Sequence, residues 1–574
     1  MSFKVFFTGF LNKKTYPKSN FIIEQFFVDK HDFDKKNNFK SIDFTISSKE
    51  LNKNFIFLSK KKTLYKKTIN NFLKKKFYKK KNYWDSSVDY WLIHFISSIH
   101  IKYQKLKKLK KKYPNLKVFK IDSKYLHDIN QTRDFIELAE TSDSLNVFIY
   151  QKIAEVLNIK LIDSNFKGSS KPKLLKNRDN IQKSKSKNSL IKKIKFLFIY
   201  FYCLIRKPYL LIDIYSSKKF IINCLLFSFG KFLPISSESI YLNEQFRNEQ
   251  KILNSESIYI NEIDEFDCAV NNVINYCFPK NLLLSYDLEK FYFLKKIKGI
   301  INSVNISSQD NFRFVISILD KKKIYTLQHG GLYELQRKHL HEDFEKKYSI
   351  FLGWNKLFSK QAFFSHKFIN KPPYEQNKKI TLFTAVKNIN ASLYEYENND
   401  FVTNNDFVKN QFVFYKNLNN RLRNKLTVRN PKETYNWDLK KLWFKQSREF
   451  SGNLKTPNFF NLDSSEMAIA NSRIFVCESI STPLFEAMHS GIPILIYDNL
   501  KKYEFKNKTL KLLLELKKNN IIHNNPEECA AFINKHYDSI DNWWCDKKTK
   551  RAINNFKKYI FASDNHLALS NLIR

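Results

Sequence analysis

Residues 471–498, NSRIFVCESISTPLFEAMHSGIPILIYD, constrain the fold more than any other stretch of this 574-residue chain. Residues 473–477 (RIFVC) are mostly β-branched and aromatic, which reads as a buried strand. A short polar loop follows, and then Pro483 behind Thr482. Proline has no N–H to lose in the first helical turn, and Ser or Thr before it is a good N-cap. The helix PLFEAMHS is therefore predicted to start at Pro483 and to stop at Gly491, a left-handed C′ residue. Residues 492–497 (IPILIY) form a second buried strand, with Pro493 near its start, where a missing ladder donor is tolerated. Strand, tight loop, helix and strand in close succession make a βαβ unit of a parallel sheet.

The loop of that unit carries the chemical interest. Free N–H groups at a helix N-terminus, the helix macrodipole and the hydroxyls of Ser481 and Thr482 together suit an anion. In an open parallel sheet, ligands bind in the crevice beyond the carboxyl ends of the strands. The plainer alternative is that Ser481 and Thr482 only cap the helix.

The same segment, with its ST at the helix start, EA within the helix and GIPIL after it, resembles the donor-binding segment of GT-B glycosyltransferases. Further landmarks are VDYWLIHFISSIH (88–100), DSLNVFIYQKIAEVLNIK (143–160), LQHGGLYE (327–334) and FLGWN (351–355). Together they resemble a family of bacterial transferases of surface-carbohydrate biosynthesis, of the lipopolysaccharide and O-antigen kind. The resemblance implies two Rossmann-like α/β domains in a GT-B-like arrangement around a central cleft, the C-terminal one holding a nucleotide-activated donor. It also implies that an acidic residue near the donor loop, Glu478 or Glu486, binds the nucleotide ribose.

A chain of this length is expected to divide into domains. The reading places an acceptor-side α/β domain at 1–367, a linker at 368–379 around the Pro-Pro pair, and a donor-binding domain at 380–540. A helical segment at 541–574 is expected to pack back on the first domain. Residues 164–189, rich in Ser and Lys, read as a polar insertion. Residues 54–58 (NFIFL) read as a strand, the lysine-dense 60–81 as a solvated helix, and 85–111 as a long amphipathic helix.

With 100 Lys and Arg against 55 Asp and Glu, the formal charge is +45. That would suit nucleic acid or an anionic membrane surface. The cations are spread along the whole chain, however, and Phe, Ile and Asn are also abundant while glycine numbers nine. Codons rich in A and T explain much of this excess, so no specific nucleic-acid partner is expected. The seven cysteines show no paired spacing and read as thiols of a reducing compartment. The apolar stretch 196–205 is too short to span a bilayer, which takes about 20 residues. The expected setting is cytoplasmic, with the apolar and basic region 190–234 available to rest on the inner face of the membrane.

Two adjacent glycines are unusual in so glycine-poor a chain. Gly330 and Gly331 follow a predicted strand at 323–327 and allow the backbone to approach a ligand such as a donor phosphate. His329 stands before them at a strand's carboxyl end and suits a base that takes a proton from an acceptor hydroxyl. Glu334 is a rival base, as are Glu342 and Asp343. Arg429 and Lys432, at another predicted strand end, suit the donor phosphate. No metal site and no cofactor beyond the nucleotide-sugar co-substrate are expected. The expected reaction moves a sugar from such a donor to a cell-surface glycan or lipid-linked acceptor. Alternatives are a CDP-alditol-type glycerophosphotransferase of the same fold and a non-catalytic basic protein that binds nucleic acid or membrane.

Overall fold

The computed structural model describes residues 4–7, 20–24, 39–42, 44, 48–77, 82–163, 189–214, 218–237, 257–283, 293–354, 379–384, 393, 404–430, 439–451, 460–461 and 464–561. Their strands assemble into three sheets, and every strand pair is parallel. The first sheet holds β1 (Lys4–Phe7), β2 (Asn20–Glu24), β3 (Phe39–Ile42), β4 (Leu116–Lys120) and β5 (Lys160–Asp163), in the order β3-β2-β1-β4-β5. The second holds β6 (Tyr209–Ile212), β7 (Phe232–Ile235), β8 (Gly299–Asn302), β9 (Ile324–Leu327) and β10 (Ile350–Leu352), in the order β10-β9-β8-β6-β7. The third holds β11 (Lys379–Phe383), β12 (Leu426–Arg429), β13 (Phe460–Asn461), β14 (Ser472–Cys477), β15 (Ile494–Tyr497) and β16 (Ile522–His523), in the order β13-β12-β11-β14-β15-β16.

Counted within itself, the third sheet runs 3-2-1-4-5-6, the Rossmann order, and the first runs 3-2-1-4-5. The second has the flavodoxin-like order 2-1-3-4-5. Each is a doubly wound sheet with a switch point where ligands gather. The α/β reading therefore holds, and the 1–367 stretch, expected as one α/β domain, carries two of the three sheets. One helix ties those two together. Asn82–Lys112 buries Trp91, Phe95 and Ile99 in the core of the first sheet, while Tyr90 and Ile93 join the core of the second.

Residues 54–58 are not a strand. They lie inside the helix Ser48–Phe77, whose Leu51, Phe55, Leu58, Tyr65, Ile69 and Leu73 are all buried. That helical spacing, sustained over six turns, outweighs the local β preference of NFIFL. The apolar stretch 196–205 lies in the helix Ser189–Arg206. Among the described residues no helix is long and apolar enough to cross a membrane. Residues 164–188 of the insertion and 368–378 of the linker lie outside the described residues.

The closing helix, Lys547–Ile560, was expected to return onto the first domain. Its Ala552, Ile553, Phe556 and Tyr559 join Phe475, Phe485 and Ile494 of the third sheet's core in one buried cluster, which also holds Leu332, Leu335 and Trp354 of the 1–367 stretch. Its buried residues present a single apolar stripe to that cluster. Residues 562–574 lie outside the described residues.

Candidate active site

The loop after β9 is shaped by one glutamine. Gln328 Nε2 donates to the Gly330 carbonyl at 2.8 Å, its Oε1 accepts from Trp354 N at 2.8 Å, and its carbonyl accepts from Trp354 Nε1 at 3.0 Å. The turn is thereby pinned to the end of β10, and His329 stands at its rim with its side chain 24% exposed. Neither Gly330 nor Gly331 has a positive φ. Gly331 is required for a different reason, because a Cβ there would collide with the Phe485 ring and lie 3.0 Å from Thr482 N.

That close approach joins the second sheet to the third. Gly331 N–H donates to Thr482 Oγ1 at 3.0 Å. Leu332, Leu335 and Trp354 enter the third sheet's core. Arg337 N donates to the Glu504 carbonyl and Lys506 N to the Leu335 carbonyl, each at 2.9 Å. The loops bearing His329 and Thr482 therefore meet.

The donor-loop helix spans Thr482–Ser490, one residue earlier than expected, with Ser481 as its N-cap and Pro483 in the first turn. Gly491 ends it at φ 80, the predicted left-handed stop. The capping alternative fails for Ser481, which makes no side-chain cap bond and lies 3.5 Å from the Ser479 carbonyl. Ser481, Thr482 and Pro483 remain partly exposed.

β11 is the switch strand of the third sheet, and its end groups the neighbouring candidates. Phe383 pairs with Arg429 on one side and Cys477 on the other. The Arg429 guanidinium lies 4.6 Å from the centre of the Phe383 ring, and the Arg429 carbonyl accepts from both Thr384 N and Thr384 Oγ1. Lys432 lies outside the described residues. Glu478 turns inward, where its oxygens accept from Gln411 Nε2 at 3.2 Å and Tyr497 Oη at 3.3 Å. Gln411 is itself held by Trp443 Nε1. Glu486, a turn into the helix, is buried. The structure thus brings together His329, Gly330, Gly331, Ser481 and Thr482, sets Arg429 beside the same sheet's switch point, and ties Glu478 into the helix layer behind it.

Electrostatically the His329 rim is a set of groups held neutral. Burial, aided by His341, pushes the His329 imidazole down to about 4, against backbone contacts with Ser303 and Leu327. Burial does the same to His341, also to about 4, and takes His339 well below its ordinary range. Tyr333 Oη lies 3.4 Å from His329 Nε2, and Glu345 Oε1 lies 3.9 Å from Nδ1. Burial raises the Glu345 carboxyl well above the carboxylate range, against a hydrogen bond with Ser307 and helped by Glu342.

Glu345 was missed in the sequence, which offered Glu334, Glu342 and Asp343 instead. The acid-to-base gradient of LHEDFEKKY marks the helix Leu340–Tyr348 and could have pointed to it. Glu334 is placed elsewhere. Its backbone is left-handed at φ 64, its N–H donates to Glu342 Oε2 at 2.8 Å, and its Oε1 lies 3.5 Å from Lys346 Nζ. Glu342 bonds the same lysine. Among the described residues no cluster of three His, Cys, Asp or Glu could hold a metal ion.

Residues 7–571 match the LIC12162 family transferase model. The chain belongs to the LIC12162 transferase family. No curated protein sequence matches this family member at a significant level. Among solved structures it is similar to the wall teichoic acid polymerase TagF, at 11% identity over 70% of this chain and 98% of that one, with a TM-score of 0.32. It is also similar to Anabaena Alr3699/HepE in complex with UDP and glucose, at 9% identity over 66% and 94%, with a TM-score of 0.33. Scores at that level carry no argument, so the fold of this LIC12162-family transferase rests on its own three sheets.

Proposed function

We propose that this transferase moves a sugar from a nucleotide-activated donor to a cell-surface glycan or lipid-linked acceptor of the lipopolysaccharide or O-antigen kind. It would work at the inner face of the cytoplasmic membrane. The observation that carries the reading is the meeting of His329-Gly330-Gly331 with the N-terminus of the Thr482–Ser490 helix at the third sheet's switch point. Anions favour such a helix end, and Ser481 leaves it free of a side-chain cap. Ser481, Thr482 and Arg429 hold the donor's phosphates in this reading, with Lys432 as a further cation and Glu486 toward the ribose. Glu478, tied to Gln411 and Tyr497, supports the loop from behind.

His329 is the base: a neutral imidazole at a partly exposed rim can take the acceptor's hydroxyl proton as the sugar is transferred. The Glu345 carboxyl and Tyr333 hydroxyl flank its two nitrogens. Glu334 is a weaker candidate, since Lys346 and Glu342 occupy its surroundings. No divalent metal takes part, so chelation leaves turnover unchanged.

Turnover with CMP-, CDP-, UDP- and GDP-linked sugars, and with CDP-glycerol beside them, tests the reaction class. A sugar nucleotide is expected to give turnover. Turnover with CDP-glycerol alone would move the assignment to glycerophosphate transfer. His329→Ala is expected to lower turnover by about 10²-fold or more, and near-normal activity would remove His329 from the mechanism.

A further inference from the structure

The helix Ser189–Arg206 is apolar on two faces, and only one is covered. Phe196, Ile199 and Cys203 are buried in the second sheet's core beside Leu210 and Phe293. Ile194, Phe198, Phe201 and Ile205 repeat at the same helical spacing on the other side and stand in solvent, Ile205 at 77% exposure. An amphipathic surface helix would carry polar residues there.

A second helix extends the face. Lys218–Phe227 exposes Leu226, and the turn after it presents Phe229 at 87% exposure with φ 50. A left-handed backbone is costly for a bulky residue, so the fold holds this phenylalanine outward against its own preference. The two helices are joined here. The Phe198 ring lies 5.9 Å from that of Tyr202, whose hydroxyl donates to the Gly230 carbonyl at 2.9 Å, next to Phe229. Of seventeen large apolar side chains exposed among the described residues, nine fall between Ile194 and Phe229, on these two helices and the turn that Tyr202 ties to the first.

The charge around the patch has one sign. Residues 189–235 hold eight Lys or Arg against a single acid, Asp213, whose carboxylate accepts from Ser237 N. Lys195, Arg206, Lys207 and Lys231 are exposed at the rim. A second copy of the chain would set this basic rim against itself in a two-fold contact, which repels. An anionic surface with an apolar interior suits both features.

We infer that this face docks flat on an anionic phospholipid bilayer. Phe198, Phe201, Ile205 and Phe229 enter the acyl boundary, and the rim cations meet the headgroup phosphates. The inference deepens the membrane-side setting proposed above by naming the surface, while its evidence is independent of the donor site.

Flotation of the full chain with vesicles tests it, in phosphatidylcholine alone and in phosphatidylcholine mixed with phosphatidylglycerol. The chain is expected to float with the mixed vesicles, more weakly as salt rises. The triple variant Phe198→Ser, Phe201→Ser, Phe229→Ser is expected to bind at least about tenfold less, as three buried rings are lost. A charge variant, Lys195→Glu, Arg206→Glu, Lys231→Glu, keeps the test open should the first fold poorly, and is expected to lose the preference for anionic vesicles. The inference is overturned if the chain stays behind with every vesicle, if both variants float as the parent does, or if the chain sediments as a dimer that the ring substitutions dissociate without any flotation. Flotation is read without substrate, so a wrong donor assignment leaves this result standing.

Discussion

An imidazole pushed down to about 4 is a weak base in the resting protein, and its usefulness depends on what arrives beside it. An anion bound at the neighbouring helix end would favour the charged imidazole and strengthen it as a base. The pH profile separates the two states. In kcat/KM, which reports the free protein, the limb assigned to His329 is expected to break near pH 4, whereas in kcat it moves higher. A limb that persists unchanged in His329→Ala would show that His329 is not the group being titrated. The same shift has a cost in acid. The unfolded chain takes up protons on these histidines below about 6.5 while the folded chain resists until lower pH, so their contribution to stability falls as pH drops through that window. His94, His339 and His341, all lowered by burial, act in the same direction.

The Thr482–Ser490 helix is where sequence and fold agree best. Replacing Ser481 and Thr482 together by Ala removes two hydroxyls: that of Thr482 accepts from Gly331 N–H, and that of Ser481 makes no side-chain cap bond. Stability is expected to fall by about 1 kcal/mol, the order of one lost neutral hydrogen bond. Nucleotide affinity is expected to fall with it, in a protein that still melts cooperatively. Unchanged affinity with a lowered melting point would reduce the pair to a domain contact. The βαβ unit, the stop at Gly491 and the strand before His329 were legible because proline, glycine and apolar runs act on their immediate neighbours. Residues 54–58 misled because a helix of buried residues beginning at Leu51 was stronger than five residues of local preference. The partner of Gly331 lies 151 residues away, and the inward turn of Glu478 depends on Gln411 and Tyr497 from other elements. Contacts of that range leave no local pattern, so the glycine pair could be noticed and its reason could not be read.

Across the whole molecule, Asp89 is a junction between the first two sheets. It is buried on the long helix Asn82–Lys112, bonds Tyr348 Oη at 2.7 Å, and faces Lys62, Lys66 and Lys347 within 3.6 Å. Burial would raise its carboxyl, but those lysines hold it at about 2. A carboxylate depressed in this way adds stability above its unfolded value of about 3.9, and loses it as pH falls toward the folded value. Asp89→Asn is expected to cost about 1–3 kcal/mol, less than for a fully buried pair because the lysines can turn to water. An unchanged thermal midpoint would show that the junction is ornamental. The second and third sheets are tied differently, through Gly331 against Thr482 and Phe485 and through the backbone bonds of Leu335 and Arg337. A motion that keeps those contacts must turn about them like the jaws of pliers about their pin. The two sheets then part least beside the Thr482–Ser490 helix and most at the rim farthest from it.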